Sequence, residues 1–368
     1  MKIALLGWGT VAKGTADALK YSKDIEIAKV LVRSDKPELG NKQVRKIEDI
    51  VCDGSIGLVA ELMGGEEPAL TYVKAALNAG KHVVTANKLM FSLHYEELIK
   101  LAREKGVSIA FSASAGGGIP WLVNLQRFKR VGKIEALGGI MNGTTNFILD
   151  SMSSEGSEFE DALAIAQQLG YAEADPTADI DALDVKAKLA LSCDCAWDVM
   201  IDPASIPAMG IRYITSEDIE AFRSIGMVCK LIGRAERTEG GAIAAYVEPM
   251  LFSKDAPEAG VSGAGNIISA FSSTAGKMSF AGGGAGRGCT GSAVAGDISD
   301  ILKGISIFDT AACKGRISAS NDAAVHRYYL RIDEEVEMKE ASVTEMNTLV
   351  QAAIKAGHRV FAASFTEA

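Results

Sequence analysis

The stretch 7-GWGTVA-12 limits what this chain can fold into more than any other six residues. It follows a short apolar run, 2-KIALL-6, and leads into a helical pattern, 11-VAKGTADALK-20. Gly7 allows a tight turn from strand to helix. Gly9 lets a pyrophosphate approach the backbone, and Ala12 is small enough for helix and strand to pack closely. A lone G-x-G-x-x-A is a weak signal, so its setting decides. Apolar runs at 25–32, 57–62, 82–85 and 107–111 alternate with helical patterns at 67–79 and 93–105. Strands alternating with helices indicate parallel βαβ units. The first 130 residues or so are therefore expected to form one α/β, dinucleotide-binding domain.

The tip of the second strand reads 30-VLVRSDKPEL-39. NAD-preferring folds usually place an acidic residue near this point. Here Arg33 leaves the strand, with Ser34 and Lys36 beside it. A guanidinium suits the 2′-phosphate of NADP through paired hydrogen bonds. NADP is expected to bind more tightly than NAD, with Asp35 as the residue that argues for NAD.

After Pro120 the texture changes. A strand is expected at 133–141, a turn feeding a helix at 142-NGTTNFIL-149, and an amphipathic helix at 159–169 stopped by Gly170. A second helix is expected at 181–192, and strand-like pieces recur from 243 to 280. The run 281-AGGGAGRGCTG-291 is expected to be a loop that approaches a ligand, followed by a helix at SAVAGDISDIL.

Composition excludes several classes. The net charge of −9 opposes whole-surface attraction to nucleic acid or to an anionic membrane. No apolar run reaches the roughly 18–20 residues of a membrane span, and a cytoplasmic location is expected. The six cysteines, Cys52, Cys193, Cys195, Cys229, Cys289 and Cys313, lack metal-site spacing and read as reduced thiols.

Five acidic residues, Glu173, Asp175, Asp179, Asp181 and Asp184, fall within twelve positions, and Lys186 and Lys188 follow. Asp184 and Lys188 stand at i and i+4 and project from one helix face, which is also the spacing of the commonest surface ion pair. Asp175 reads as an Asp-Pro turn, Asp181 as a helix N-cap and Lys186 as a solvated charge. Together with the first motif, this stretch resembles the homoserine dehydrogenase family. The resemblance runs in order through 7-GWGTV-11, 61-ELMGG-65, 83-VVTANK-88, 115-AGGGIP-120, 142-NGTTNFIL-149, 170-GYAEADPTADIDALDVKAKL-189 and 284-GAGRGCTGSAV-294.

The resemblance implies a Rossmann-like domain over 1–130, completed by about 285–320. An α+β substrate and dimerisation domain over 131–284 follows, then a short C-terminal segment, 321–368, that resembles a diverged remnant of the regulatory ACT domain. It implies reversible hydride transfer between L-homoserine and L-aspartate 4-semialdehyde with NADP or NAD, toward threonine and methionine, in a homodimer. Lys188 would be the acid–base residue, with Lys88 near nicotinamide and substrate. Glu173, Asp179 and Asp184 would hold the substrate, lined by Gly143, Thr144 and Tyr171. Gly7, Gly9, Thr10, Val11, Arg33, Met63, Gly64, Lys88 and Gly286 would bind the cofactor.

Some positions depart from the family pattern. A glutamate that helps bind a monovalent cation is Ser112 here, which leaves the carbonyls of Ala115, Gly117 and Ile119 to hold sodium or potassium weakly. Cys289 and Gly291 stand where proline and alanine are usual, so a softer loop is expected there. Two other readings stay open: an NADP-dependent reductase of another amino-acid semialdehyde, and a non-catalytic NADP-binding sensor.

Overall fold

A computed structural model describes residues 1–308 and 315–366. Cys313 lies outside the described residues. The chain divides into two compact units: Met1–Val131 with Asp194–Met200 and Gly283–Gly315, and Gly132–Cys193 with Ile201–Gly282 and Arg316–Ala368.

The first unit is built on six parallel strands, β1 (Lys2–Leu6), β2 (Glu26–Leu31), β3 (Gln43–Val44), β4 (Ile56–Glu61), β5 (His82–Thr85) and β6 (Ile109–Ala110). Their order is β3-β2-β1-β4-β5-β6, and all pairs run parallel. This is the doubly wound dinucleotide-binding order, whose ligand crevice opens where the strand order reverses, beside β1 and β4. Both central strands are almost wholly buried, as strands covered on two faces must be.

Helix α1 (Thr10–Leu19) crosses a second helix, Arg287–Leu302, at very close range. A Cβ on Gly14 would fall 1.8 Å from the Arg287 carbonyl oxygen, and one on Gly291 would fall 2.4 Å from the Gly14 carbonyl carbon. The glycine-rich run is therefore not a single loop. Its first part ends the strand Gly276–Gly283, and the helix begins at Arg287, five residues earlier than the sequence suggests. Gly291 costs the helix some intrinsic stability, but it permits a backbone contact that no larger residue allows. This also removes the basis for a softer loop at Gly291.

The second unit holds an eight-stranded sheet in the order 276–283, 265–272, 134–140, 227–237, 243–253, 360–365, 325–332, 335–342. The strands Met227–Arg237 and Ile243–Ser253 pair antiparallel over their full length. Residues 325–365, set apart in the sequence reading, supply three strands and the helix Val343–Lys355 to this same sheet. Strand Val360–Phe365 runs parallel to 243–253, and Val325–Ile332 pairs with it on the other side. The buried carboxylate of Asp218 accepts from Arg331 Nε and from Tyr329 Oη, both at 2.8 Å. The buried Glu248 accepts from Tyr328 Oη and faces His326 Nδ1, each at 2.9 Å. Among the described residues, no helix is long and apolar enough to cross a membrane.

Candidate active site

In the first unit, Gly9 is the N-cap of α1, with no capping side chain. Nothing lies within 4 Å of where its Cβ would be. The N-terminus of α1 is thus uncapped by a side chain and open beside Gly9, which leaves room for a pyrophosphate. Gly7 has a φ of 96°, and a Cβ there would lie 3.0 Å from the Leu62 carbonyl oxygen. The turn after β1 therefore lies directly against the segment after β4, where Met63 and Gly64 sit. The residues present fit a dinucleotide phosphate. Thr10 and Val11 open the helix, and Arg33 is exposed two residues past β2. Asp35 faces Arg45 at 3.5 Å, and Arg45 Nη1 donates to the Val32 carbonyl at 3.0 Å.

The Met63–Gly65 segment is held from below. Glu61 is fully buried at the end of β4. It accepts from the Met63 amide at 2.8 Å and from Thr85 Oγ1 at 2.6 Å. Burial pushes its carboxyl up, and these hydrogen bonds work against that rise. Asn87 donates to the Gly65 carbonyl at 2.6 Å and caps the helix Lys88–Lys105 by accepting from the Met90 amide. This fixes half-buried Lys88 as the first residue of that helix. Gly286, with a φ of 108°, is the N-cap of the helix Arg287–Leu302.

The cation candidates lie on the turn that follows Ser112. Ala115 and Ile119 are buried, and the Ile119 carbonyl accepts from the Trp121 amide at 2.7 Å. A Cβ on Gly117 would meet the Gly284 carbonyl oxygen at 2.2 Å. At the position for which the resemblance implies a glutamate, the Ser112 amide donates to the buried carboxylate of Asp297 at 2.9 Å.

In the second unit, Lys188 Nζ pairs with Asp184 Oδ2 at 2.7 Å and donates to the Met141 carbonyl at 2.8 Å. Both side chains are about nine-tenths buried, which separates them from the weak exposed pairs of the same spacing. Asn142 ties the group together. Its Nδ2 donates to Asp179 Oδ1 at 2.7 Å and to Asp184 Oδ2 at 2.9 Å. Its Oδ1 accepts from the Thr145 amide and caps the helix Gly143–Glu155. Thr144 Oγ1 donates to the Tyr171 carbonyl at 2.7 Å, and the Tyr171 ring lies 5.2 Å from that of Phe147. Gly143 backs onto the Ala264 carbonyl oxygen, 2.6 Å from where a Cβ would be. Six sequence-selected residues, Gly143, Thr144, Tyr171, Asp179, Asp184 and Lys188, are thus brought into one linked group. Glu173 is exposed on the adjoining loop, where its carbonyl accepts from Gln167 Nε2 at 3.1 Å.

Two charges act otherwise than the sequence suggests. Asp181 is not a cap: the helix starts at Leu183, and both oxygens of Asp181 accept from the Arg212 guanidinium, at 2.8 and 2.7 Å. Lys186 is not solvated: it is half-buried, and burial lowers its pKa. Asp175 does form a turn, accepting from the Thr177 amide at 3.1 Å. Glu61, Asn87 and Asn142 went unassigned in the sequence reading. Each sits inside a quoted motif, as a polar residue at the end of an apolar strand run.

An uncapped helix N-terminus at a glycine turn and a buried lysine–carboxylate pair suit a dehydrogenase, and known proteins resemble the chain over both units. Residues 120–299 match the family model for homoserine dehydrogenase, and residues 7–112 match that for the homoserine dehydrogenase NAD binding domain. The homoserine dehydrogenase of Synechocystis sp. is 39% identical over 82% of this chain and 73% of its own length. That of Lactococcus lactis is 39% identical over 82% and 74%. A solved homoserine dehydrogenase from Thiobacillus denitrificans superposes with a TM-score of 0.88 at 30% identity, over 100% of this chain and 98% of the other.

Proposed function

The chain belongs to the homoserine dehydrogenase family and is an oxidoreductase with an NAD-binding domain, and on that premise we propose that it interconverts L-homoserine and L-aspartate 4-semialdehyde with Lys188 as the acid–base residue. The observation that carries this reading is the buried group Asn142–Asp179–Asp184–Lys188. The substrate is an amino acid with an ammonium group and a hydroxyl. Asp179 and Asp184 offer carboxylates to the ammonium, joined by Glu173 from the adjoining loop. Two of the three N–H bonds of the Lys188 ammonium point to Met141 and Asp184, which leaves the third direction for the reacting oxygen.

The bound dinucleotide supplies or accepts the hydride. In the reducing direction, the Lys188 ammonium gives a proton to the oxygen of the aldehyde as its carbon gains hydride. In the oxidising direction, the neutral amine takes the hydroxyl proton as the same carbon loses hydride. Asp184 pairs with Lys188 Nζ, and Asn142 keeps Asp184 oriented toward it. Lys88 belongs to the same reading as a second cation near the ring and substrate.

NADP is the preferred cofactor, supported by the exposed Arg33 past β2 and by the engagement of Asp35 with Arg45. The carbonyls of Ala115, Gly117 and Ile119 would hold a sodium or potassium ion, and the working enzyme would be a cytoplasmic homodimer of threonine and methionine biosynthesis. The test is an assay of L-homoserine with NADP at mildly alkaline pH, following reduced cofactor. The expected result is turnover by the parent and a loss of about 100-fold or more in folded Lys188→Ala. Arg33→Ala should narrow the NADP-to-NAD affinity ratio. A parent that binds NADPH but turns over neither homoserine nor the semialdehyde would overturn the reading.

A further inference from the structure

Asn266 stands near the start of the strand Gly265–Ser272 and is 1% exposed. Both its Nδ2 and its Oδ1 are buried without a hydrogen-bond partner. A buried donor or acceptor left unpaired forfeits its hydration and gains nothing in return, so an amide unpaired at both ends is a heavy local cost. Such a group persists in a native fold where something other than stability selects it.

Its position says what that is. The strand pairs antiparallel with Ile134–Ile140, with Ile267 opposite Ile140. Continuing the register by one residue sets Asn266 opposite Met141, and directly paired residues share a sheet face. Met141 is the residue whose carbonyl holds Lys188 Nζ. The neighbouring Ala264 lies against Gly143, at the head of the helix capped by Asn142. The segment 264–266 thus backs the segment 141–143 residue by residue, with its one polar side chain on the Met141 side.

The chemistry of the pocket leaves a gap that an amide fills. Asp179, Asp184 and Lys188 account for the substrate's ammonium and reacting oxygen. Its α-carboxylate still needs hydrogen-bond donors, and neutral ones can recognise it without adding to the charge of Lys88 and Lys188. The first amides of the helix Gly143–Glu155 are one source, and a side-chain amide, with two N–H donors and no charge, is another. Resting on the substrate reading above, we propose that Asn266 is a further substrate-recognition residue, whose Nδ2 donates to the α-carboxylate of the amino-acid substrate.

The test compares Asn266→Leu and Asn266→Asp with the parent for L-homoserine kinetics, for binding of L-2-aminobutyrate by calorimetry, and for the melting temperature of the ligand-free protein. L-2-aminobutyrate keeps the ammonium and carboxylate but lacks the hydroxyl. The leucine variant should raise KM for homoserine at least tenfold and weaken L-2-aminobutyrate similarly. Its KM for NADP should stay within twofold, and its melting temperature should hold or rise because an unpaired amide is gone. The aspartate variant should raise KM further by setting carboxylate against carboxylate. Both variants melting lower with KM for homoserine unchanged would overturn the proposal and make Asn266 structural. A parent inactive on homoserine would instead remove the substrate reading beneath it, and Lys188→Ala run alongside keeps the two failures apart.

Discussion

Asp297 shows how one buried carboxyl can give the whole first unit a pH dependence. It is almost fully buried and accepts from the Ser112 amide. Burial pushes its pKa up to about 7, against the pull of its Ser112 hydrogen bonds and with a small push from Asp300. A carboxyl raised on folding stabilises most at low pH. Its contribution is complete below the unfolded value of 3.8 and is lost as pH rises through about 7. An asparagine side chain cannot ionise, yet it keeps an oxygen to accept from Ser112. Asp297→Asn should therefore flatten the fall in melting temperature between pH 5 and pH 8 by the equivalent of a few kcal/mol, read by differential scanning fluorimetry. An unchanged slope would show that Asp297 is ionised in the folded enzyme throughout. At this scale the sequence was a partial guide. It pointed to Asp184 and Lys188 because their spacing fixes a shared helix face. It misread Asp181 and Lys186 because the partner of one, Arg212, lies 31 positions away, and the burial of the other depends on what packs over it.

At the scale of elements, the strands and helices of the first unit were readable because covered parallel strands must be continuously apolar. The helix Arg287–Leu302 was not fully readable, because glycine lowers helix propensity wherever it falls. Only the crossing with α1 explains Gly291, and that crossing depends on Gly14, nearly three hundred residues earlier. Gly14→Ala tests this directly. A Cβ placed 1.8 Å from a carbonyl oxygen has no room, so the two helices must part. Overpacking of this kind typically costs roughly 1–3 kcal/mol. Because Gly9 heads one helix and Gly286 the other, both of these proposed cofactor contacts should shift. NADPH affinity, followed by fluorescence titration, should fall more than tenfold, while Gly296→Ala, at a position with open space around its Cβ, should leave affinity unchanged. Equal effects from both substitutions would mean that loss of glycine flexibility, not the crossing, is responsible.

For the whole molecule, the last prediction concerns residues 321–368. In sequence they resemble a shortened, diverged remnant of the regulatory ACT domain, and the strands they pair with cannot be read there. The pairing decides the matter: strand Val360–Phe365 lies between Ile243–Ser253 and Val325–Ile332, within the sheet that carries Lys230, Gly233 and the start of the Asn266 strand. Removing the segment would bare strand 243–253 at Met250 and Leu251, where it pairs with Ser364 and Phe365, an unpaired edge of the kind that aggregates. It would also strip two fully buried carboxylates of their partners, Asp218 of Arg331 and Tyr329, and Glu248 of His326 and Tyr328. Breaking a buried charge pair by removing one side typically costs about 3–5 kcal/mol, and this deletion does so at Asp218 while also taking two hydrogen-bond partners from Glu248. A chain ending at Ser320 is therefore expected to be insoluble or to elute as large aggregates on size-exclusion chromatography. Arg331→Met, which loses one pair and keeps the strand, should stay soluble with a lowered melting temperature. A soluble, active chain ending at Ser320 would show that the sheet closes without these strands, and that the segment is an appendage after all.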